Sequence, residues 1–171
     1  YDKINLKHIG GELMDFVIQP ISGIMTAEIQ KTIDNCFLSG GGVITLEDGL
    51  YLTGGLRLRS GCYLHLKSGA VIKGTRNIED YNILEKDTLE PVNEEYKTDV
   101  LWTPAGNRKT NHHIVKAASS WNNALIRILD ASDAGIIGEP GSVIDGSDPY
   151  DPKGEEHYRG PHGIAYHHSK N

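Results

Sequence analysis

The densest run of side chains able to do chemistry lies near the end of the sequence, at residues 148–162. Tyr158 offers a flat face for stacking, Arg159 a planar fork that matches a carboxylate, and His162 a hydrogen-bonding ring, so the three together suit contact with an acidic sugar. The plainer reading is a solvated loop whose Arg159 pairs with the acids beside it, and such pairs contribute little. Asp148, Asp151, Glu155 and Glu156 also suit calcium by charge, but their spacing lacks the alternating aspartates of a dedicated calcium loop. His112-His113 and His167-His168 invite a metal reading. Adjacent residues on a strand point to opposite faces, however, and do not share one ion. No metal and no cofactor is expected. Trp102 and Trp121 fit either a stacking wall or, as we prefer, anchors that fix their segment onto the core, because tryptophan is seldom left exposed.

Side chains such as these need a frame. With 171 residues and 38% hydrophobic content the chain has the size of one domain with a real core, and residues 1–171 are read as one unit. The formal charge of −6 comes from 17 basic and 23 acidic residues mixed along the chain. That mixture offers no basic stripe for a phosphate backbone, so nucleic acid is not an expected partner. No apolar run approaches the roughly 20 residues of a membrane helix, and the first residues lack the apolar core of a secretion signal. No membrane association is expected. Cys36 and Cys62 are too few for a disulfide framework and read as buried thiols, with a single bridge between them left open.

Only one segment has a helical period. Ile29, Ile33, Cys36 and Phe37 make one apolar stripe over residues 26–38, with Thr26 as the expected N-cap and Gly40, Gly41 and Gly42 as the stop. After it, short apolar runs centred on residues 43–46, 50–52, 56–58, 63–66 and 71–72 recur about every seven residues, divided by turns that end in glycine. Spacing by two predicts Leu50/Leu52, Leu56/Leu58 and Leu64/Leu66 on the buried face, and Tyr51, Arg57 and His65 on the wet one. An antiparallel meander would suit this rhythm, but primed two-residue turns are missing. A solenoid suits it better, with three strands to a coil and each coil pairing in parallel with the one about 20 residues before; Ile44 to Leu64 is such a step. Residues 75–123 break the rhythm and read as an excursion from the coil with local structure of its own. Strands return at 125–129, 135–137, 142–144 and 163–166. Nothing at the end resembles a cap, so the expected C-terminal end is truncated, with an open coil through which copies can self-associate.

The helix at 26–34, the glycine-led strand at 40–44, the runs at 49–54, 56–60, 63–66 and 69–72, the 79–81 segment and the later 138–146 segment resemble the opening of glycoside hydrolase family 28, the polygalacturonase-like enzymes. The resemblance runs from about Thr26 to Gly163. It implies an all-β fold, a right-handed parallel β-helix whose first coil is plugged by an N-terminal α-helical cap. It also implies inverting hydrolysis of a pectin-type polysaccharide, with one aspartate protonating the leaving oxygen and another activating water. The family's Asn-Thr-Asp, Asp-Asp, Gly-His-Gly and Arg-Ile-Lys motifs do not occur here. Neither Thr98-Asp99 nor Asp145-Gly146 replaces them, so no catalytic residue is assigned. The expectation is the N-terminal part of a longer hydrolase, with a polysaccharide or oligosaccharide as partner. The alternative is a non-catalytic β-helix module for carbohydrate binding or assembly. A polysaccharide substrate argues for an extracellular or periplasmic location, while the lack of a disulfide framework also permits the cytoplasm.

Overall fold

A computed structural model describes residues 14–81, 89–90, 124–150, 161–167 and 169–170. The elements are β1 (Met14–Ile18), α1 (Thr26–Leu38), β2 (Gly42–Leu46), β3 (Gly49–Thr53), β4 (Leu56–Leu58), β5 (Cys62–Leu66), β6 (Ala70–Gly74), a 3-10 turn (Ile78–Tyr81), β7 (Ala124–Leu129), β8 (Gly135–Gly138), β9 (Val143–Asp145) and β10 (His162–His167). They form three sheets, with orders β1-β2-β5-β8, β3-β6-β9 and β4-β7-β10, and every pairing is parallel. Successive strands go to successive sheets and the chain then returns to the first, so it winds in coils. A meander of antiparallel hairpins is ruled out. Ile44 is the direct partner of Leu64, the step that the spacing predicts.

Stacking identical positions of successive coils builds the interior as ladders. Ile44, Leu64 and Ile136 form one, Leu56, Ile126 and Ile164 another, and Tyr51, Ile72 and Ile144 a third. The first coils are sealed from water, with Ile44, Leu64, Leu56 and Ile126 fully buried. Helix α1 joins this core through Ile29, Ile33 and Cys36, with Phe37 partly buried against it. Burying each of the two isoleucines is worth roughly 1.5–3 kcal/mol, far more than the intrinsic helix propensity of so short a segment.

Thr26 does not serve as the N-cap. It is the first helical residue, and its hydroxyl accepts from the backbone N–H of Gly54 at 2.7 Å, tying the helix to the corner after β3. The glycine stop is as expected: Gly40 and Gly41 have φ of +93° and +103°, and a Cβ on Gly41 would lie 2.5 Å from the Gly61 carbonyl oxygen. The two faces of β3 and β4 differ from the alternation reading. Tyr51 points inward while Leu50 is exposed, and Arg57 is buried along with Leu56 and Leu58. Covering both faces of β4 leaves it no wet side. Strand β1 has no counterpart in the apolar rhythm.

Cys36 and Cys62 are both free and buried, as expected. The hydrogen bond between the two thiols, reinforced by burial, pushes the Cys62 thiol well above the ordinary range and keeps it protonated. The same hydrogen bond lowers the Cys36 thiol, but both cysteines are fully buried, so neither is expected to react with a chromogenic disulfide reagent in the native protein, and both should react in denaturant. Rapid native labelling of either would contradict their burial.

Candidate functional site

Each sheet presents an outer face, and each outer face carries a different set of polar groups. On the β4-β7-β10 sheet, Arg57 and Arg127 are direct register partners, stacked one coil apart on the side away from the interior ladders, and both are fully buried. Two like charges so close are held by acceptors around them. Arg57 donates through Nη1 to the backbone carbonyl of Glu90, and its Nη2 lies 3.6 Å from a Glu90 carboxylate oxygen. The same carboxylate accepts from the Ser60 hydroxyl at 2.6 Å and from the Ser60 N–H at 3.3 Å, and reaches Arg59 at 4.0 Å. Arg59 also donates to Asp34 of α1 at 2.7 Å and lies over the Phe37 ring at 5.8 Å. Arg127 donates to the Tyr81 carbonyl at 2.6 Å. Burial, and then the neighbouring Arg57 charge, pull its pKa down to about 9, so it stays charged at neutral pH. A cluster of this kind recognises carboxylates, and here the carboxylate is the protein's own.

The β1-β2-β5-β8 sheet carries a smaller cluster. Glu139, just past β8, accepts from Lys67 Nζ at 2.8 Å and from the Ser68 N–H at 3.0 Å, and its Oε1 lies 3.1 Å from His65 Nε2. The hydrogen bond from Lys67, then that from Ser68, hold the Glu139 carboxyl below its usual range, and the same contact raises Lys67. His65 thus lies on the outer side, as the alternation reading has it.

The β3-β6-β9 sheet carries a groove of about 700 Å³ lined by Ile24, Leu52, Lys73, Arg76, Asn77 and Ser147 among others. Its cations are Lys73, which is 3.7 Å from Asp145, and Arg76, whose Nε donates to the Ser147 carbonyl at 3.3 Å.

Of the three site residues read from the sequence, only His162 is among the described residues. It opens β10 as the partner of Ala124 and is exposed. Strand alternation puts it on the side of Ile164 and Tyr166, which continue the interior ladders, and not on the side of Arg127. Tyr158 and Arg159 lie outside the described residues, as do Trp102, Trp121, His112, His113, His168 and the acids at 151, 155 and 156. Most of the 75–123 excursion lies outside them too; its beginning holds the 3-10 turn at Ile78–Tyr81. Among the described residues no group of three or more His, Cys, Asp or Glu side chains could hold a metal, and no helix is long and apolar enough to cross a membrane. The Arg57–Arg127–Glu90 cluster is absent from the sequence reading. Its trace is the apolar-Arg-apolar triplet, which occurs at 56–58 and again at 126–128.

Three parallel sheets wound in successive coils define a parallel β-helix. Neither a protein-family model nor a curated protein matches this chain. Among solved structures, the chain resembles the polygalacturonase from Erwinia carotovora ssp. carotovora, with a TM-score of 0.54 and 16% identity over 96% of this chain and 42% of that one. A putative glycosyl hydrolase from Parabacteroides merdae ATCC 43184 aligns over 73% of this chain and 42% of that one, with a TM-score of 0.48 and 19% identity. The chain thus spans 42% of the length of each. The polygalacturonase likeness shows a shared fold.

Proposed function

We propose that these coils belong to a polysaccharide-cleaving glycoside hydrolase of the polygalacturonase-like kind, acting by inversion on a pectin-type substrate outside the cytoplasm. The observation that carries the reading is the coil itself, which follows the polygalacturonase fold over 96% of this chain. The family-like segments at 26–72 and 138–146 fall on α1, β2 to β6 and β8 to β9 in order. We take the coil to be right-handed, the hand of nearly all parallel crossover connections. Helix α1 then serves as the cap of the first coils, its Ile29/Ile33/Cys36 stripe covering apolar residues that water would otherwise reach. The paired carboxylates of an inverting site, separated by roughly 6.5–9.5 Å, are assigned to sequence beyond these 171 residues.

The test is a reducing-end assay on polygalacturonate. The 171-residue chain alone should give no turnover, and the full-length product of the gene should release reducing ends. Turnover by the 171 residues would place the acid and base within them. A gene product without further paired aspartates, and without activity, would sink the hydrolase reading.

A further inference from the structure

The groove on the outer face of the β3-β6-β9 sheet lies on a different face of the coil from the buried arginines, and its construction follows from register. Ile24 bridges to Leu52, Leu52 pairs with Lys73, and Lys73 pairs with Asp145. One outward row therefore crosses the sheet, apolar at its first two rungs and charged at the next two. Ile24 is 55% exposed, so the row offers an apolar surface directly beside charged groups. The segment after β6 makes the side wall. There Arg76 is held by the Ser147 carbonyl, and Asn77 donates to Asp80 at 3.1 Å.

Two details set this groove apart from ordinary wet surface. The Ser147 hydroxyl oxygen is buried and has no hydrogen-bond partner, although a buried hydroxyl is nearly always satisfied. Ser147 also has a φ of +60°, a conformation that a serine rarely adopts and that tends to be kept where a site needs it. The ion pair between Lys73 and Asp145 is long at 3.7 Å, and both side chains are nearly half exposed. So exposed a pair contributes little, and Lys73 can turn to another carboxylate at little cost. The volume, about 700 Å³, lies within the usual range for ligand sites of roughly 300–1,000 Å³.

We propose that this groove is an accessory binding site for acidic saccharides, in which Ile24 and Leu52 take the C–H face of a sugar ring, Lys73 and Arg76 take its carboxylate, Asn77 and Asp80 take its hydroxyls, and the Ser147 hydroxyl, buried before the sugar arrives, turns outward to join them. The chemistry matches each part. A sugar ring has an apolar face and a rim of hydroxyls, which suits an apolar floor with amide, carboxylate and hydroxyl walls, and the two cations select an acidic ring over a neutral one. A polymer strand held here would be anchored on one face of the coil while another segment of it met a cleavage site elsewhere. The proposal rests on the polysaccharide reading for its ligand class, and on the groove alone for its position.

The test is calorimetric titration of the 171-residue chain with trigalacturonate and, separately, with a neutral trisaccharide. Trigalacturonate should bind at least tenfold more tightly than the neutral sugar. The Lys73→Ala/Arg76→Ala double variant should weaken acidic binding at least tenfold and Ser147→Ala several-fold, while Lys31→Ala, on the exposed side of α1, should leave it unchanged. All four substituted residues are at or near the surface, and an unchanged melting temperature confirms that each variant folds. Undiminished binding by the double variant would overturn the proposal, as would no binding by the unaltered chain. These outcomes separate from those of the reducing-end assay. Hydrolysis by the full-length product with no groove-dependent binding sinks only the accessory site, and groove-dependent binding with no hydrolysis sinks only the hydrolase reading.

Discussion

Replacing Glu90 with alanine is expected to lower the unfolding free energy by about 3 kcal/mol, because it removes one member of a desolvated charge cluster and leaves the other buried. Arg57 is almost fully buried and the Glu90 side chain is only 12% exposed, so water cannot take over the carboxylate's role. Arg127 stands next to Arg57 in register and carries the same charge. The loss of one negative group is therefore felt by two cations, and by Arg59 as a third at 4.0 Å. Ser60 would lose an acceptor for both its hydroxyl and its N–H. Glu90→Gln separates charge from hydrogen bonding, since an amide oxygen still accepts from Ser60 but does not balance a guanidinium. Its cost should fall between zero and that of alanine. Urea denaturation of the three proteins is the measurement. An alanine variant within about 0.5 kcal/mol of the parent would mean that the carboxylate does not compensate the buried arginines.

The coil was legible because its period is local. Turns ending in glycine and apolar pairs spaced by two recur within a 20-residue step, and Ile44 and Leu64 can be matched by counting. The same counting fails once residues 75–123 intervene. Leu56 pairs with Ile126 and Arg57 with Arg127, and a register that spans 70 residues depends on the length of the excursion, which no periodicity encodes. This explains why Arg57 reads as wet from the sequence. Its own strand puts it opposite Leu56 and Leu58, and only a distant segment, through Glu90 and Arg127, covers it. Strand β1 was missed for a related reason. Its pattern of one buried residue, Ile18, in five has no amphipathic signal, and what makes it a strand is the parallel edge of β2 alongside it.

The site was less legible than the fold. A loop rich in Tyr, Arg and His draws attention by composition, yet the described polar clusters assemble from residues far apart in sequence and adjacent in coils. Glu139 meets Lys67 and His65, Ser147 meets Arg76, and Glu90 meets Arg57 and Ser60. In a stacked coil, chemistry gathers across rungs at one face. Sequence neighbours divide between faces, so a motif search along the chain looks in the wrong direction for everything except the turns.

Strand β3 shows the same lesson in its sharpest form and gives a second large effect: Tyr51→Ala should cost about 3–5 kcal/mol, while Leu50→Ala should stay within about 0.5 kcal/mol. Alternation of apolar residues points to the opposite result, with leucine in and tyrosine out. In the fold Tyr51 is 0% exposed and Leu50 is 52% exposed. The inversion is physically affordable because the Tyr51 hydroxyl lies 2.8 Å from the Ile18 carbonyl and 2.9 Å from the Glu47 carbonyl, either of which can accept its proton. A ring of that size fills the interior where β3, β6 and β9 stack, and its polar tip ends on acceptors at the coil corner. Burial above all, and then the Glu47 charge, push its pKa up from 10.0 to about 12. A raised phenol pKa means that the unfolded chain releases the proton first. Tyr51's contribution should thus be complete below about pH 10 and fall as pH rises through 10 to 12, by roughly 2–3 kcal/mol in all. Tyr51→Phe keeps the ring and removes the titration, so it should cost about 1 kcal/mol at pH 7 and flatten the alkaline limb of the stability curve. An alkaline limb as steep in Tyr51→Phe as in the parent would show that the loss comes from other groups, and equal costs for Tyr51→Ala and Leu50→Ala would show that the faces of β3 are not inverted.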